Sequence, residues 1–520
     1  MEQADRKIDA HYHHAKRLHG AGHLSEAKNI YQQILTITPT HADTMDMLGV
    51  LLLQTNQAEQ ALDWIQAAID IRPDTALFHV HRAHALLALG RGTDAETAAR
   101  RAIALKRADA AAHQALGHAL TDTGDYAGAV QAYRDAARLK PDLPDILNNL
   151  GTALHHLHRL DEAAQTLNRA LTRAPRDPAV LLNLSSVLRD LGRMEDAEKR
   201  LLAARRIAPE DPRIHYNNAL LNLLLGRFDV AWPDWEARFR AGAIPSRNLD
   251  KPLWNGEPLQ GRTLLIHAEQ GLGDTMQFCR YDLPSDGPVL LEVQPRIARL
   301  IASRFRGGEA PIMRTPKDPL PPIDLQCPLM SLPAIRRTIP ATTPYLFAEP
   351  DAEARWRERI GGFGFRVGIA WQGNPDRRED QGRSIPLREF LPLATLPDIR
   401  LIGLQRDAGA EQRTEDMPVE WLGDDFDSGP DGFIDTAAAM MHLDLVITSD
   451  TAIAHLAGAL GRPVWVALRA VPDWRWMLNR PDSPWYPTMR LFRQTTRGDW
   501  STVFATMRLA LEHRAEQRIP

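Results

Sequence analysis

Cysteine is nearly absent: Cys279 and Cys327 are the two in 520 residues. Two thiols cannot build a disulfide framework, and a structural zinc site needs more ligands than they offer. No stretch approaches the roughly 18 apolar residues that a membrane span requires. The start of the chain, Met1–Leu18, is polar and rich in His, without the apolar segment of a secretory signal. A basic excess is missing too. The formal net charge is −4, whereas a dedicated nucleic-acid binder carries a strong positive balance. Together these absences exclude a disulfide scaffold, a spanning protein and a nucleic-acid binder, and they place the chain in the cytoplasm. What is present, 44% hydrophobic and 25% charged residues, is the composition of a folded globular protein. Its length calls for roughly two to four domains.

The first half repeats itself. Prolines stand at Pro39, Pro73, Pro141, Pro175 and Pro209, spaced by 34 residues or twice that, with Arg107 filling the gap. Small residues share the period in three series: Ala15, Gly49, Ala83, Gly117, Gly151, Ser185 and Ala219; then Ala27 to Ala231; then Ala68 to Ala204. Small residues let two antiparallel helices cross closely, and a Pro ends the second helix, which is the tetratricopeptide pattern. The spacing predicts seven repeats over residues 8–245, an α-solenoid. Trp232 and Trp235 in the last repeat suit packing against a following domain, because a terminal repeat must cover its exposed face.

Asn149, Asn183 and Asn217 keep one phase of the repeat. A ladder of carboxamides, each donor and acceptor, suits an extended acceptor peptide. The same residues could equally satisfy repeat junctions, and the sequence leaves both readings open. His11, His13 and His14, and His155, His156 and His158, read as polar helix surface rather than metal ligands.

After a linker, residues 246–258, the period changes. β-rich runs at Thr263–Ala268, Pro288–Val293, Arg366–Trp371, Arg400–Gln405, Leu443–Thr448 and Pro463–Leu468 alternate with segments of helical length. Buried parallel strands read as such continuous apolar runs. A Pro-rich stretch, residues 311–350, holds one further short strand at Ile323–Cys327. The pattern predicts two Rossmann-like lobes, residues 259–345 and 355–520, the second closed by an amphipathic helix from Trp500 to Arg514.

Ligands of open α/β sheets bind beyond the carboxyl ends of strands, where turns lead into helix N-termini. Two turns fit. In LLIHAEQGLGDTMQF, Gly271 and Gly273 permit close backbone approach and Asp274 sits at the rim, or else caps the helix. In LDLVITSDTAIAHLAGALGRPVW, Ser449, Asp450 and Thr451 open a helix able to hold a diphosphate, with His455 one turn on. Asp425-Phe426-Asp427 has the form of a metal-binding DxD but sits in a Gly/Asp-rich stretch, LGDDFDSGPDG, and reads as a loop. The group Trp474, Trp476, Trp485 and Tyr486 either frames the cleft or closes the core.

On these residues the chain resembles GT-B glycosyltransferases of the heptosyltransferase type. HAEQGLGDTMQFCRY, VGIAWQGNP and VPDWRWMLNRPDSPWYPTMRLFRQ resemble bacterial tetratricopeptide-repeat glycosyltransferases more closely, among them proteins implicated in flagellin glycosylation. The order of parts is also similar to the O-linked N-acetylglucosamine transferases, whose repeats carry an Asn ladder. The resemblance implies a GT-B fold behind the solenoid, a nucleotide sugar as co-substrate rather than a cofactor, no obligatory metal, and a protein acceptor such as flagellin. It implies Asp274 as general base. His267 and Glu269 are the alternatives we read from the residues nearby. Gly271, Gly273, Ser449, Asp450, Thr451 and His455 become donor-binding. Arg383 takes the phosphate-contacting place where that family carries Lys. Two rival readings stand beside it: a repeat scaffold whose α/β part has lost catalysis, and a transferase acting on a lipid-linked saccharide.

Overall fold

Small residues at the repeat period decide how the first part packs. In the computed structural model, which describes residues 2–247, 249–307, 310–375, 380 and 382–516, helices of 13 and 14 residues alternate: Ala42–Gln54, Ala58–Ile71, Ala76–Ala88, Gly92–Leu105 and onward. A Cβ on Gly117 would come within 2.4 Å of the Tyr133 ring, and one on Gly151 within 2.5 Å of Leu167. The glycines are there because each first helix lies against its partner with no room for a side chain. Asp109, Asp125 and Asp177 cap helices by accepting first-turn N–H groups. Ala27, Tyr31, Leu48, Ile65 and Ala68 begin the solenoid core.

The chain divides into two compact units, Met1–Ala208 and Pro209–Pro520. The helix pair Pro212–Leu224 and Phe228–Trp235, read in the sequence as the seventh repeat, therefore belongs to the unit that holds the sheets. Its Trp residues pack as expected. The Trp235 indole donates to the Met330 carbonyl at 2.9 Å, and Trp232 lies edge-on to Trp474 at 6.1 Å.

Two parallel sheets follow. The first holds β1 (Leu264–His267), β2 (Val289–Glu292), β3 (Ile312–Arg314) and β4 (Leu325–Pro328) in the order β3-β2-β1-β4. The second holds β5 (Phe365–Ala370), β6 (Ile399–Gly403), β7 (Val419–Trp421), β8 (Leu445–Ser449), β9 (Val464–Leu468) and β10 (Met489–Arg493) in the order β10-β9-β8-β5-β6-β7. That is the doubly wound order, and its switch point lies between β5 and β8; in the first sheet it lies between β1 and β4. β1, β2, β8 and β9 are buried throughout, the mark of strands covered on both faces.

Three strands are absent from the sequence expectation. β3 and β7 are sheet-edge strands of three residues, too short to show a period. β10, MRLFR, exposes Arg490 between buried neighbours and so does not read as an apolar run. The closing helix is Ser501–Glu516, and its Val503, Phe504, Met507 and Leu511 are buried in the second sheet's core, with Phe504 against Phe390 at 4.5 Å.

His155 corrects the surface reading of its cluster. It is buried and lies 2.8 Å from Asp190 across the repeat junction.

Candidate functional site

The turn after β1 and the turn after β8 meet. A Cβ on Gly273 would stand 2.8 Å from His455 Cδ2 and 3.4 Å from the Ala452 backbone. Only glycine permits that approach of the helix Leu272–Phe278 to the helix Ala452–Ala459. Both turns lie at switch points, β1 beside β4 and β8 beside β5, where parallel sheets leave a crevice.

Asp274 occupies the third position of its helix. One carboxylate oxygen accepts the Gly271 N–H at 2.8 Å; the other accepts from Arg475 at 2.5 Å. It is therefore a back-bonded cap as well as a rim acid. Burial pushes its pKa up, opposed by the Arg475 charge beside it. Arg475 is buried and spends its remaining donors on Gln277 at 3.0 Å and Asp473 at 2.8 Å. Burial works to raise Asp473 as well, yet Arg475 wins and its pKa falls.

Ser449 is fully buried and its hydroxyl has no partner among the described residues. Thr451 stands at the N-cap position of the helix Ala452–Ala459 without a side-chain bond to its first turn, its hydroxyl 3.2 Å from that of Thr448. Asp450 faces the Trp476 indole and the charges of Asp473, Arg383 and Arg469, and burial raises its pKa. His455 Nδ1 lies 2.9 Å from the Tyr486 hydroxyl, and its ring stacks on Trp476 at 5.2 Å. Burial lowers its pKa to about 3, so the imidazole is neutral. Tyr486 lies beneath the Arg280 guanidinium, 4.4 Å from its ring centre. Arg383 leans on Asp380 at 3.3 Å, and its charge reaches Asp274, Asp450 and His455.

The other two base candidates lie apart from this group. Glu269 is gripped by Arg238 at 3.1 Å and accepts the Met330 N–H at 3.1 Å. Arg238, in the short helix Ala237–Arg240 that follows the last helix pair, is fully buried, so this pair ties that segment to the turn after β1. Burial pushes the Glu269 pKa up to about 7 against the pull of Arg238. His267 is buried beside Arg247, its pKa lowered to about 4 by burial, and neither ring nitrogen finds a hydrogen-bond partner among the described residues.

The Asn series splits between the two units. Asn149 lies 2.9 Å from His118; Asn183 donates to Asn148 at 2.9 Å and Thr152 at 3.2 Å; Asn217 donates to the Arg213 carbonyl at 2.9 Å. The first two amides thus join consecutive repeats. The DxD stretch is structural: Asp425 pairs with Arg359 at 2.6 Å, and Asp427 accepts the Asp435 N–H at 2.9 Å. Among the described residues no group of three acids, His or Cys could hold a metal ion, and no helix is long and apolar enough to cross a membrane.

Arg475, Asp473, Arg280 and Arg469 were not singled out from sequence, whereas Tyr486 was, within the aromatic group that now surrounds His455. The only signal was a cation set between two tryptophans, and its partner Asp274 is 201 residues away.

Comparison with known proteins bears on the repeats. One tetratricopeptide-repeat family matches residues 81–144 and 115–178, another residues 18–80 and 162–223. Protein FlbA of Caulobacter vibrioides is 28% identical over 323 residues, 56% of this chain and 54% of that protein, so the chain spans about half the length of this relative. Among solved structures, the Cut9–Hcn1 assembly of the APC/C is 19% identical over 45% of this chain and 46% of that one, with a TM-score of 0.41. PilF of Pseudomonas aeruginosa is 21% identical over 38% and 90%, with a TM-score of 0.34. The chain carries an N-terminal tetratricopeptide-repeat solenoid followed by two parallel-sheet regions.

Proposed function

We propose that this chain is a glycosyltransferase of GT-B type, moving a sugar from a nucleotide-sugar donor to a Ser or Thr hydroxyl of a protein. One observation carries the reading: the Gly271–Asp274 turn of one parallel sheet abuts the Ser449–His455 helix start of the other at their switch points. A substrate entering that crevice meets an acid from one side and a helix N-terminus, a hydroxyl, an imidazole and arginines from the other.

Asp274 takes the proton of the acceptor hydroxyl as that oxygen bonds to the anomeric carbon. The bond from this carbon to the diphosphate oxygen breaks, and its electron pair leaves with the phosphate. The Ser449 hydroxyl, the open N–H groups of the helix Ala452–Ala459 and Arg383 meet the charge that develops there. The contact of His455 Nδ1 with the Tyr486 hydroxyl, whose ring lies under Arg280, fixes the imidazole and leaves its Nε2 for the donor. The repeats recruit the acceptor protein, with flagellin the candidate the sequence resemblance suggests. Asn149, Asn183 and Asn217 are its proposed contacts.

The test is incubation of the full chain with a panel of nucleotide sugars and flagellin, following nucleotide release and the mass of the acceptor. Release with a matching mass gain supports transfer. If no nucleotide sugar is consumed or raises the melting temperature, the reading fails.

A further inference from the structure

Three consecutive residues near the cleft face three different partners. Trp474, Arg475 and Trp476 form one 3₁₀ turn. With three residues per turn, successive side chains point about 120° apart. Trp474 packs against Trp235 of the last helix pair at 5.6 Å. Arg475 reaches the first sheet's Asp274 and Gln277. Trp476 stacks on His455 of the second sheet. Asp473 caps the turn, accepting the Arg475 N–H at 3.0 Å. Met477, directly after it, is held at φ 50° and ψ −170°, a backbone conformation that a β-carbon disfavours and that the surrounding packing must enforce.

We infer that Arg475 is a positioning residue for the transfer chemistry, holding the Asp274 carboxylate in one orientation at the crevice and favouring its charged form; this rests on the transferase reading above. Two constraints fix the carboxylate, the Gly271 N–H on one oxygen and the guanidinium on the other. A carboxylate has roughly four acceptor sites, so both bonds leave room for an acceptor hydroxyl. The guanidinium is itself immobile, because Gln277 and Asp473 take its other edges and the Trp474 ring lies 4.5 Å beneath it.

The charges around Asp274 decide what removing Arg475 does. From the 473–476 turn come Arg475 and Asp473, and from the loop after β5 comes Arg383. From the second helix start come Asp450, which acts on Arg475, and neutral His455. Without Arg475 the nearest cation is gone while burial and Asp473 remain, so Asp274 holds its proton to higher pH.

The experiment compares full-length Arg475→Gln and Arg475→Lys with the wild type. In Arg475→Gln the acid limb of kcat/KM is expected to move up by about one pH unit or more. On the acid side of that limb activity then falls about tenfold for each unit moved, and above the limb it recovers toward the wild type. In Arg475→Lys the charge stays and the fork is lost, so kcat falls with the limb in place. A carboxylate NMR titration of Asp274 gives the same answer without turnover: its midpoint rises in the Gln variant and holds in the Lys variant. If the Gln variant does not fold, the Lys variant decides, a shifted limb or midpoint overturning the inference. Equal loss at every pH with an unmoved midpoint in Arg475→Gln also overturns it and makes Arg475 structural. If the wild type transfers no sugar, the transferase reading fails, and the Asp274 titration still decides what Arg475 does.

Discussion

The three acids and imidazoles that the sequence offered as bases are separated by their partners, not by their chemistry. Glu269 is bound to Arg238, His267 lies beside Arg247, and Asp274 alone stands at the meeting of the two turns. Asp274→Asn keeps the Gly271 contact in shape but removes the basic oxygen. Turnover is expected to fall by about 10²-fold or more with donor affinity nearly unchanged, as measured by initial rates beside calorimetric titration with the donor. In the proposed function, donor affinity belongs to the other side. Asp450→Ala combined with His455→Ala removes the acid facing Trp476 and the imidazole facing Tyr486. Calorimetry should show nucleotide binding weakened about tenfold or more while the melting of residues 1–208 is unmoved. Retained affinity would remove these two residues from the donor site. Asp274, Asp450 and His455 were legible in sequence because each sits at a fixed place in a strand–turn–helix motif. Arg475 was not, because its role comes from a partner on a different sheet.

At the scale of the element, the repeat helices were the most legible part, since a 34-residue period and small crossing residues are written directly in the chain. The Asn series shows the limit of that legibility. Its phase was plain, but one sequence position serves a junction or a ligand with equal ease, and the amide geometry assigns Asn149 and Asn183 bonds to neighbouring repeats. Asn149→Ala with Asn183→Ala should lower the stability of the solenoid by about 1.5–4.5 kcal/mol, near 0.5–1.5 for each of the three lost bonds. Denaturant unfolding of the full chain checks it. No loss of stability would mean the two amides hold nothing within the solenoid. Strands followed a different rule. The long buried ones could be read as apolar runs, while β3 and β7 exist because a neighbouring strand supplies their hydrogen bonds.

For the whole molecule, buried histidines set the response to acid. Burial holds His455 neutral to about 3, and His267 and His84 to about 4. An unfolded His takes its proton near pH 6.5, so each contributes stability that is complete above that pH. The contribution is lost as pH falls toward the folded value, at about 1.4 kcal/mol per pH unit per residue. Glu269, raised to about 7, acts in the opposite sense and gains stability over the same window. In Met1–Ala208, His84 and His118 both act in the first sense. In Pro209–Pro520, His455, His267 and His442 are opposed by Glu269, Asp274, Asp427 and Asp450, so the loss is read from the transition of the first unit. Its unfolding free energies at pH 7, 6 and 5 should therefore decline well above the range of ordinary carboxylates, and a flat profile would contradict the neutral imidazoles. The sequence by itself determined the repeat, the alternation of strand and helix, and the two turns, because each rests on residues close together in the chain. Only the tertiary structure decided that the last helix pair joins the sheets, that Glu269 is an anchor, and that Arg475 meets Asp274. Burial and charge pairing depend on what the fold brings together from distant parts of the chain, and no local pattern encodes that.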